Sequence, residues 1–249
     1  MKIMSLSLNN FLYEEWKNQL PLIVDEIIKQ DADVVALQNV RGLISDLDNN
    51  AIKHLQDALK EKNNEFFWVV VQPVMRHAED PENWEGLAIL SRIAFIDSRC
   101  QVLPIGEGED KKLRSIIYGR YKLSDCFFYI FNNYFSFDNQ QAILDAVNGH
   151  AFTVGCPEHA LFLGDFNSTP EMEPVKKLKE HGWIDTWEMM HPDKIGFTYP
   201  SSDPGKRTSF VFHSKGFESR IKDIKVVFAE PDDNGLYPSN HLGLLIDID

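Results

Sequence analysis

Leu161-Phe162-Leu163-Gly164-Asp165-Phe166-Asn167-Ser168-Thr169-Pro170 is the stretch on which the reading of this chain turns. Its apolar start has the pattern of a strand buried on both faces. It delivers a carboxylate and an amide, two residues apart, into a loop at its end. The strand's period of two makes Asp165 and Asn167 point the same way. A carboxylate so placed can take a proton from water, and an amide can hydrogen-bond a phosphoryl oxygen. The same residues also suit an Asx turn, in which they bond only their own backbone.

Outward from this stretch, strands dominate and helices are interspersed. Lys2–Leu8 reads as a strand and Glu14–Lys29 as a helix, with Leu20, Ile23, Val24, Ile27 and Ile28 on one face at the helical period. Asp33–Gln38 is a short apolar strand, and Asn50–Lys60 is helical. Strands follow at 66–71, 86–91 and 93–101, then at 115–122 and 126–132. A helix is expected at 140–147 and another at 172–181, after the start signal at Pro170. Strands at 207–212, 221–228 and 242–248 close the chain. Two sheets with helices on their outer faces would bury this pattern.

Composition narrows the function. With 43% hydrophobic and 25% charged residues, the 249-residue chain can build a large core, and no apolar run approaches the roughly 20 residues of a membrane span. No secretory signal is expected at the N-terminus. Cys100, Cys126 and Cys156 are odd in number and lack a CxxC, which predicts buried thiols in a reducing, cytoplasmic setting. A formal net charge of −13 argues against a surface that holds nucleic acid by neutralising phosphates.

The Gly164-Asp165-Phe166-Asn167 segment resembles the endonuclease/exonuclease/phosphatase superfamily, metal-dependent phosphoesterases with the DNase I-like fold. The resemblance runs in order along nearly the whole chain. Met1–Leu8 is similar to the family's first strand, Asp31–Gln38 to its "ADVVALQE" strand, and Glu85–Arg92 to "EGxAILSR". Phe131-Asn132-Asn133-Tyr134-Phe135 sits where the family has "NTHL". Phe197-Thr198-Tyr199-Pro200 with Arg207-Thr208-Ser209-Phe210 resembles "FTYP…RIDY", and Ser239-Asn240-His241 resembles "SDH". The resemblance implies an α/β fold: a four-layered sandwich of two packed mixed β-sheets flanked by helices, one domain over residues 1–249.

The resemblance also marks where this chain departs from the pattern. The family's Asn at the end of the first strand falls on Ser7, with Asn9 and Asn10 close by, and its metal-binding Glu falls on Asn39. The phosphate-supporting His of "NTHL" is Tyr134. The Asp of "RIDY", which orients the catalytic His, is Ser209, and the Asp of "SDH", beside the metal, is Asn240. The retained positions are Asp165, Asn167 and His241. Mg²⁺ is a hard cation usually held through one or two carboxylates. A unit-charge pair at roughly 4 Å is worth about 4 kcal/mol at an effective dielectric of about 20, before desolvation. Amides at Asn39 and Asn240 remove two such attractions.

The expectation is a pseudoenzyme without a cofactor, lacking metal-dependent phosphoester hydrolysis and binding a phosphate-bearing small molecule or a protein partner. Its metal-free anion site is expected near Asn167 and His241, with Arg207 within reach. The alternative is a working Mg²⁺- or Mn²⁺-dependent phosphodiesterase or phosphatase with atypical ligands and Asp165 as base. Among the other residues, His77, His150, His159, His181, His191 and His213 are expected at the surface or in loops. Arg76, Arg92, Arg114 and Arg207 fall near strand ends that the fold would gather around the site, or are ordinary surface or ion-paired arginines. Trp84 packs under a loop or lines the cleft, and Glu107–Asp110 forms a solvated hairpin tip.

Overall fold

The computed structural model describes residues 1–8, 13–76, 81–154 and 159–249. Asn9, Asn10, His77 and Cys156 lie outside them. In chain order the first half runs β1 (Lys2–Ser7), α1 (Tyr13–Gln30), β2 (Val34–Leu43), α2 (Ala51–Glu61), β3 (Trp68–Arg76), β4 (Asn83–Ser91), β5 (Asp97–Leu103), β6 (Arg114–Lys122) and β7 (Phe127–Tyr134). The second half runs α3 (Asn139–Val154), β8 (His159–Asp165), α4 (Glu173–Glu180), β9 (Ile184–Asp185), α5 (Thr186–Met190), β10 (Ser209–His213), β11 (Ile221–Val227) and β12 (Gly243–Ile248).

The strands form two six-stranded sheets, ordered β11-β12-β1-β2-β4-β3 and β5-β6-β7-β8-β10-β9. Both are mixed: β1 pairs with β2 and β7 with β8 in parallel, and the other neighbours are antiparallel. Alternating side chains of the two sheets meet in an inner core of Ile3, Ala36, Ile89, Ile130, Leu163 and Val211. Ile23, Val24 and Ile27 of α1, with Leu55 and Leu59 of α2, cover the outer face of the first sheet. Val175 and Leu178 of α4 join Phe131, Phe162 and Phe212 over the second. The result is the expected four-layered DNase I-like sandwich. Each fully buried Leu, Ile or Phe side chain stabilises it by about 1.5–3 kcal/mol.

A polar stitch crosses the inner core. Gln38 Nε2 of β2 donates to Asn132 Oδ1 of β7 at 2.7 Å, and Asn132 Nδ2 donates to the carbonyls of Leu37 and Ala88. Both side chains are fully buried, so these bonds offset the cost of desolvating the amides. They also fix how the strand ends of the two sheets face each other.

Several elements differ from expectation. Residues 93–96 are not strand, because Ser91 Oγ turns the chain by bonding both the N–H and the carbonyl of Ile93. β9 and α5 were not anticipated: two residues are too few to show a strand period. α3 continues well past residue 147. Cys100 and Cys126 are only partly buried. Asp110 is no solvated tip: Arg114 Nη2 and Ser136 Oγ both donate to it, and it is 7% exposed. His213, expected at the surface, is fully buried in β10 against the Thr186 hydroxyl. His150 of α3 stacks flat on His181, rings 4.2 Å apart.

Candidate active site

The site gathers at one end of the sandwich, where β1, β2, β7 and β8 finish and β4, β6 and β10 begin. Gly164 has φ +139°, and a Cβ there would meet the Asn133 carbonyl at 2.1 Å. Only glycine lets β8 run so close to β7, which brings Asp165 level with Tyr134. The strand then stops. Asp165 Oδ1 accepts the Asn167 N–H at 3.0 Å, an Asx turn, and Asn167 takes φ +48°. The shared direction expected from a strand period is therefore absent: Asn167 lies beyond β8, its Nδ2 donating to the Phe135 carbonyl at 2.8 Å. It still lines the cleft, together with Thr169, Tyr199, Lys206, Asn240 and His241, around a cavity of about 570 Å³.

His241 Nε2 stands 3.7 Å from Asp165 Oδ2, an ion-pair separation too long for a hydrogen bond. The Tyr199 ring covers the imidazole at 4.6 Å. His241 Nδ1 and the Ser209 hydroxyl are both buried, and neither has a hydrogen-bond partner among the described residues. Ser209 therefore does not orient the ring. The loop bearing His241 is fixed instead through Ser239, whose hydroxyl donates to the Ser7 carbonyl at 2.6 Å and accepts the His241 N–H at 3.2 Å.

Asn39 sits in a bulge of β2, where the register against β4 shifts between Leu37 and Val40, with φ +54°. Its Nδ2 donates to the Leu8 carbonyl, and its Oδ1 is buried without a hydrogen-bond partner. Tyr134 occupies the end of β7. Burial first, then the nearby charges of Asp165 and Glu85, push its hydroxyl up to about 12, and Arg114 lies over its ring at 4.8 Å. The phenol therefore stays protonated at neutral pH and can donate a hydrogen bond, where an imidazole could also carry charge.

The arginines divide sharply. Arg114 and Arg41 both pair with Glu85, Arg114 also pairs with Asp110, and all four side chains are buried. Arg207 makes a buried bidentate pair with Asp185, at 3.1 and 2.7 Å, so it is committed to the scaffold. Arg92 pairs with Asp31 at the opposite end of the first sheet. The exposed cation beside Asn167 and His241 is Lys206, which the sequence reading passed over. Trp84 packs into the helix-covered core and does not line the cleft.

A divalent ion would need carboxylates converging here. Asn39 and Asn240 offer amides, and Glu85 is already matched by two guanidinium groups. Among the described residues, no three His, Cys, Asp or Glu side chains group as metal ligands. The donor set does not fit a hard cation such as Mg²⁺. What the cleft offers is hydrogen-bond donors and a lysine, with the carboxylate of Asp165 beside His241 and that of Glu171, held by the Thr169 hydroxyl, on its wall.

The two-sheet sandwich and a Gly-Asp-Phe-Asn turn at its strand ends define a phosphoesterase-like scaffold. A family model, "Endonuclease/Exonuclease/phosphatase family", matches residues 8–241, and the chain belongs to that family. No curated protein matches it. Among solved structures, an endonuclease/exonuclease/phosphatase family protein from Leptotrichia buccalis is similar at TM-score 0.82 and 18% identity, over 100% of this chain and 99% of that one. The Bacteroides thetaiotaomicron mannosyl-6-phosphatase Bt3783 is similar at 0.73 and 15%, again over 100% and 99%. A Neisseria 3′ phosphatase, solved bound to a product DNA hairpin, gives 0.70 and 17% over the same shares.

Proposed function

We propose that this chain is a family member that has lost metal-dependent phosphoester hydrolysis and binds a phosphate-bearing small molecule directly in the cleft. The observation that carries this reading is the environment of His241. Among the described residues Nδ1 has no hydrogen-bond partner, and the carboxylate paired with the ring is Asp165, 3.7 Å away at Nε2. In a hydrolase a second carboxylate would hold the imidazole in place and stabilise its charge. Without one, and with amides at Asn39 and Asn240, neither an activated water nor a held cation has its usual support.

A phosphate monoester suits the groups that remain. Lys206 supplies a full positive charge, while the His241 ring N–H and the hydroxyls of Thr208 and Tyr199 can donate to phosphoryl oxygens. A monoprotonated phosphate can in turn donate to Asp165 Oδ2, a buried acceptor with no hydrogen-bond partner. Two structural neighbours are phosphatases, which accords with a phosphomonoester as ligand. A protein partner is the other ligand compatible with a lost activity, but the cleft's size and polarity suit a small anion. The net charge of −13 disfavours nucleic acid.

The test is a titration of EDTA-treated protein with inorganic phosphate, followed by NMR of the His241 ring. Saturable shifts without metal are expected. Binding only after Mg²⁺ is added, or Mg²⁺-dependent hydrolysis that Asp165→Asn abolishes, would return the chain to the working phosphoesterases.

A further inference from the structure

Beside the anion cleft lies a second hollow of about 500 Å³, and the two share Thr169, Glu171 and Lys206 as walls. Its volume falls in the range of small-molecule sites. Trp187, Arg207, Ile195 and Phe197 line it together with the carboxylates of Glu171, Glu188 and Asp193. Ile195 is 59% exposed and Phe197 36%, so apolar surface is left open beside a polar site.

That wall is built rather than loose. Trp187 Nε1 donates to the Lys194 carbonyl at 2.8 Å, and the Lys194 N–H donates to the His191 carbonyl. The His191 ring packs on Trp187 at 4.6 Å, and its Nε2 bonds the Ile224 carbonyl at 2.7 Å. Gly196, at φ +72°, passes so close over the Trp187 ring that a Cβ would come within 2.3 Å of it. Downstream, Thr198 Oγ1 accepts the N–H groups of Thr208 and Ser209. The segment is thus tied at both ends and cannot fold over to cover Ile195 and Phe197 without breaking these bonds. Arg207 adds no free charge to the lining, since Asp185 neutralises it.

We infer that this hollow seats the organic half of the ligand, and that the ligand is a phosphate ester of a planar ring, aromatic or heteroaromatic. This rests on the reading of the cleft as a phosphate site. With phosphate at Lys206 and His241, an ester-linked ring passes between Thr169 and Lys206 and lays one face on Phe197 and Ile195. A sugar or polyol laid on Phe197 and Ile195 would set hydroxyls against that apolar wall and lose hydrogen bonds to water there. The acceptors Glu171, Glu188 and Asp193 elsewhere on the lining can serve the polar edge of a ring as well. A flat ring covers the wall, keeps its polar edge toward the rim, and gains apolar burial without that loss.

The experiment compares metal-free affinities for inorganic phosphate, phenyl phosphate, adenosine 5′-monophosphate and glucose 6-phosphate by calorimetry. At least one planar-ring ester is expected to bind about tenfold more tightly than inorganic phosphate, with no comparable gain for glucose 6-phosphate. Which ring gains more distinguishes a simple aryl source from a nucleotide source. Ile195→Asn, at an exposed position that does not hold the fold, should erase most of the gain while leaving affinity for inorganic phosphate unchanged. Equal affinities for all four, a gain for the sugar phosphate, or a ring gain that survives Ile195→Asn and Phe197→Ala would each overturn the inference while leaving the phosphate site standing. Failure of inorganic phosphate and the esters alike to bind would overturn both.

Discussion

His241 Nε2 faces Asp165 Oδ2 at 3.7 Å, while its buried Nδ1 has no hydrogen-bond partner among the described residues. A general base is normally supported from behind and open in front. Here, among the described residues, the carboxylate paired with the ring lies in front, at Nε2. When protonated, the imidazole is attracted to Asp165 and tends to close the gap, and an incoming anion must compete with that carboxylate. This arrangement is the basis for proposing ligand capture in place of turnover.

Reversion should rebuild the missing half. Ser7→Asn, Asn39→Glu, Ser209→Asp and Asn240→Asp together are expected to give Mg²⁺-dependent hydrolysis of a generic phosphodiester, against background for the unmodified chain. Each single change should leave activity near background, because groups that act as a unit are strongly non-additive. Ser209→Asp is the pivotal change, since Ser209 lies at the start of β10, level with Asp165 on β8, and its hydroxyl bonds nothing. Steady-state rates with and without EDTA decide the outcome, and activity in the unmodified chain would count against this account.

Two adjacent cations should separate binding from stability. Lys206→Ala is expected to weaken metal-free phosphate binding about tenfold, with an unchanged denaturation midpoint, because Lys206 is exposed and charge-assisted hydrogen bonds are the strong ones. Arg207→Lys should do the reverse. It breaks the bidentate pair with buried Asp185 and is expected to cost on the order of 3 kcal/mol of stability with little change in phosphate affinity. Calorimetry and denaturant unfolding of both variants check the assignment.

Acid titration should show one buried carboxylate working against the fold. Burial pushes Asp145 up to about 6, although Ser136 N–H and the Gln141 side chain bond it. Its folded value lies above the unfolded one, so the folded state binds more protons between about pH 4 and 6. Its contribution is therefore fully present below about pH 4 and is lost as pH rises through about 6, on the order of 2–3 kcal/mol. Asp145→Asn, which cannot titrate, should flatten that part of the stability profile relative to the parent. The slope is the diagnostic, since the amide also gives up one acceptor. Parallel profiles would refute the assignment.

The fold was legible because its signals are local: buried apolar strands, an amphipathic α1, and a Gly-Asp-Phe-Asn turn. The site was legible as a set of positions but not as a geometry. The bulge at Asn39 depends on pairing with β4, which no local pattern shows. The Asx turn at Asp165 was one of two readings, and only the strand's end point decides between them. Asp110 looked solvated because Arg114 and Ser136 reach it only in the folded chain. Phe210-Val211-Phe212-His213 did carry a signal, since a histidine ending an apolar strand run is a candidate for burial. Likewise, two consecutive asparagines in Phe127–Tyr134 must face opposite sides of the sheet, which marked one of them for the inner core. Lys206 was overshadowed by Arg207, and only the buried Asp185 pair shows which cation remains available.

The central claim is that this cleft does not hold a divalent cation as its relatives' pattern requires. Calorimetric titration of Mg²⁺ into the EDTA-treated protein, with Asp165→Asn in parallel, tests it most directly. The account predicts no saturable heat below about 1 mM for either protein, as expected when amides replace both carboxylates. A sub-millimolar site in the unmodified chain that disappears in Asp165→Asn would contradict it.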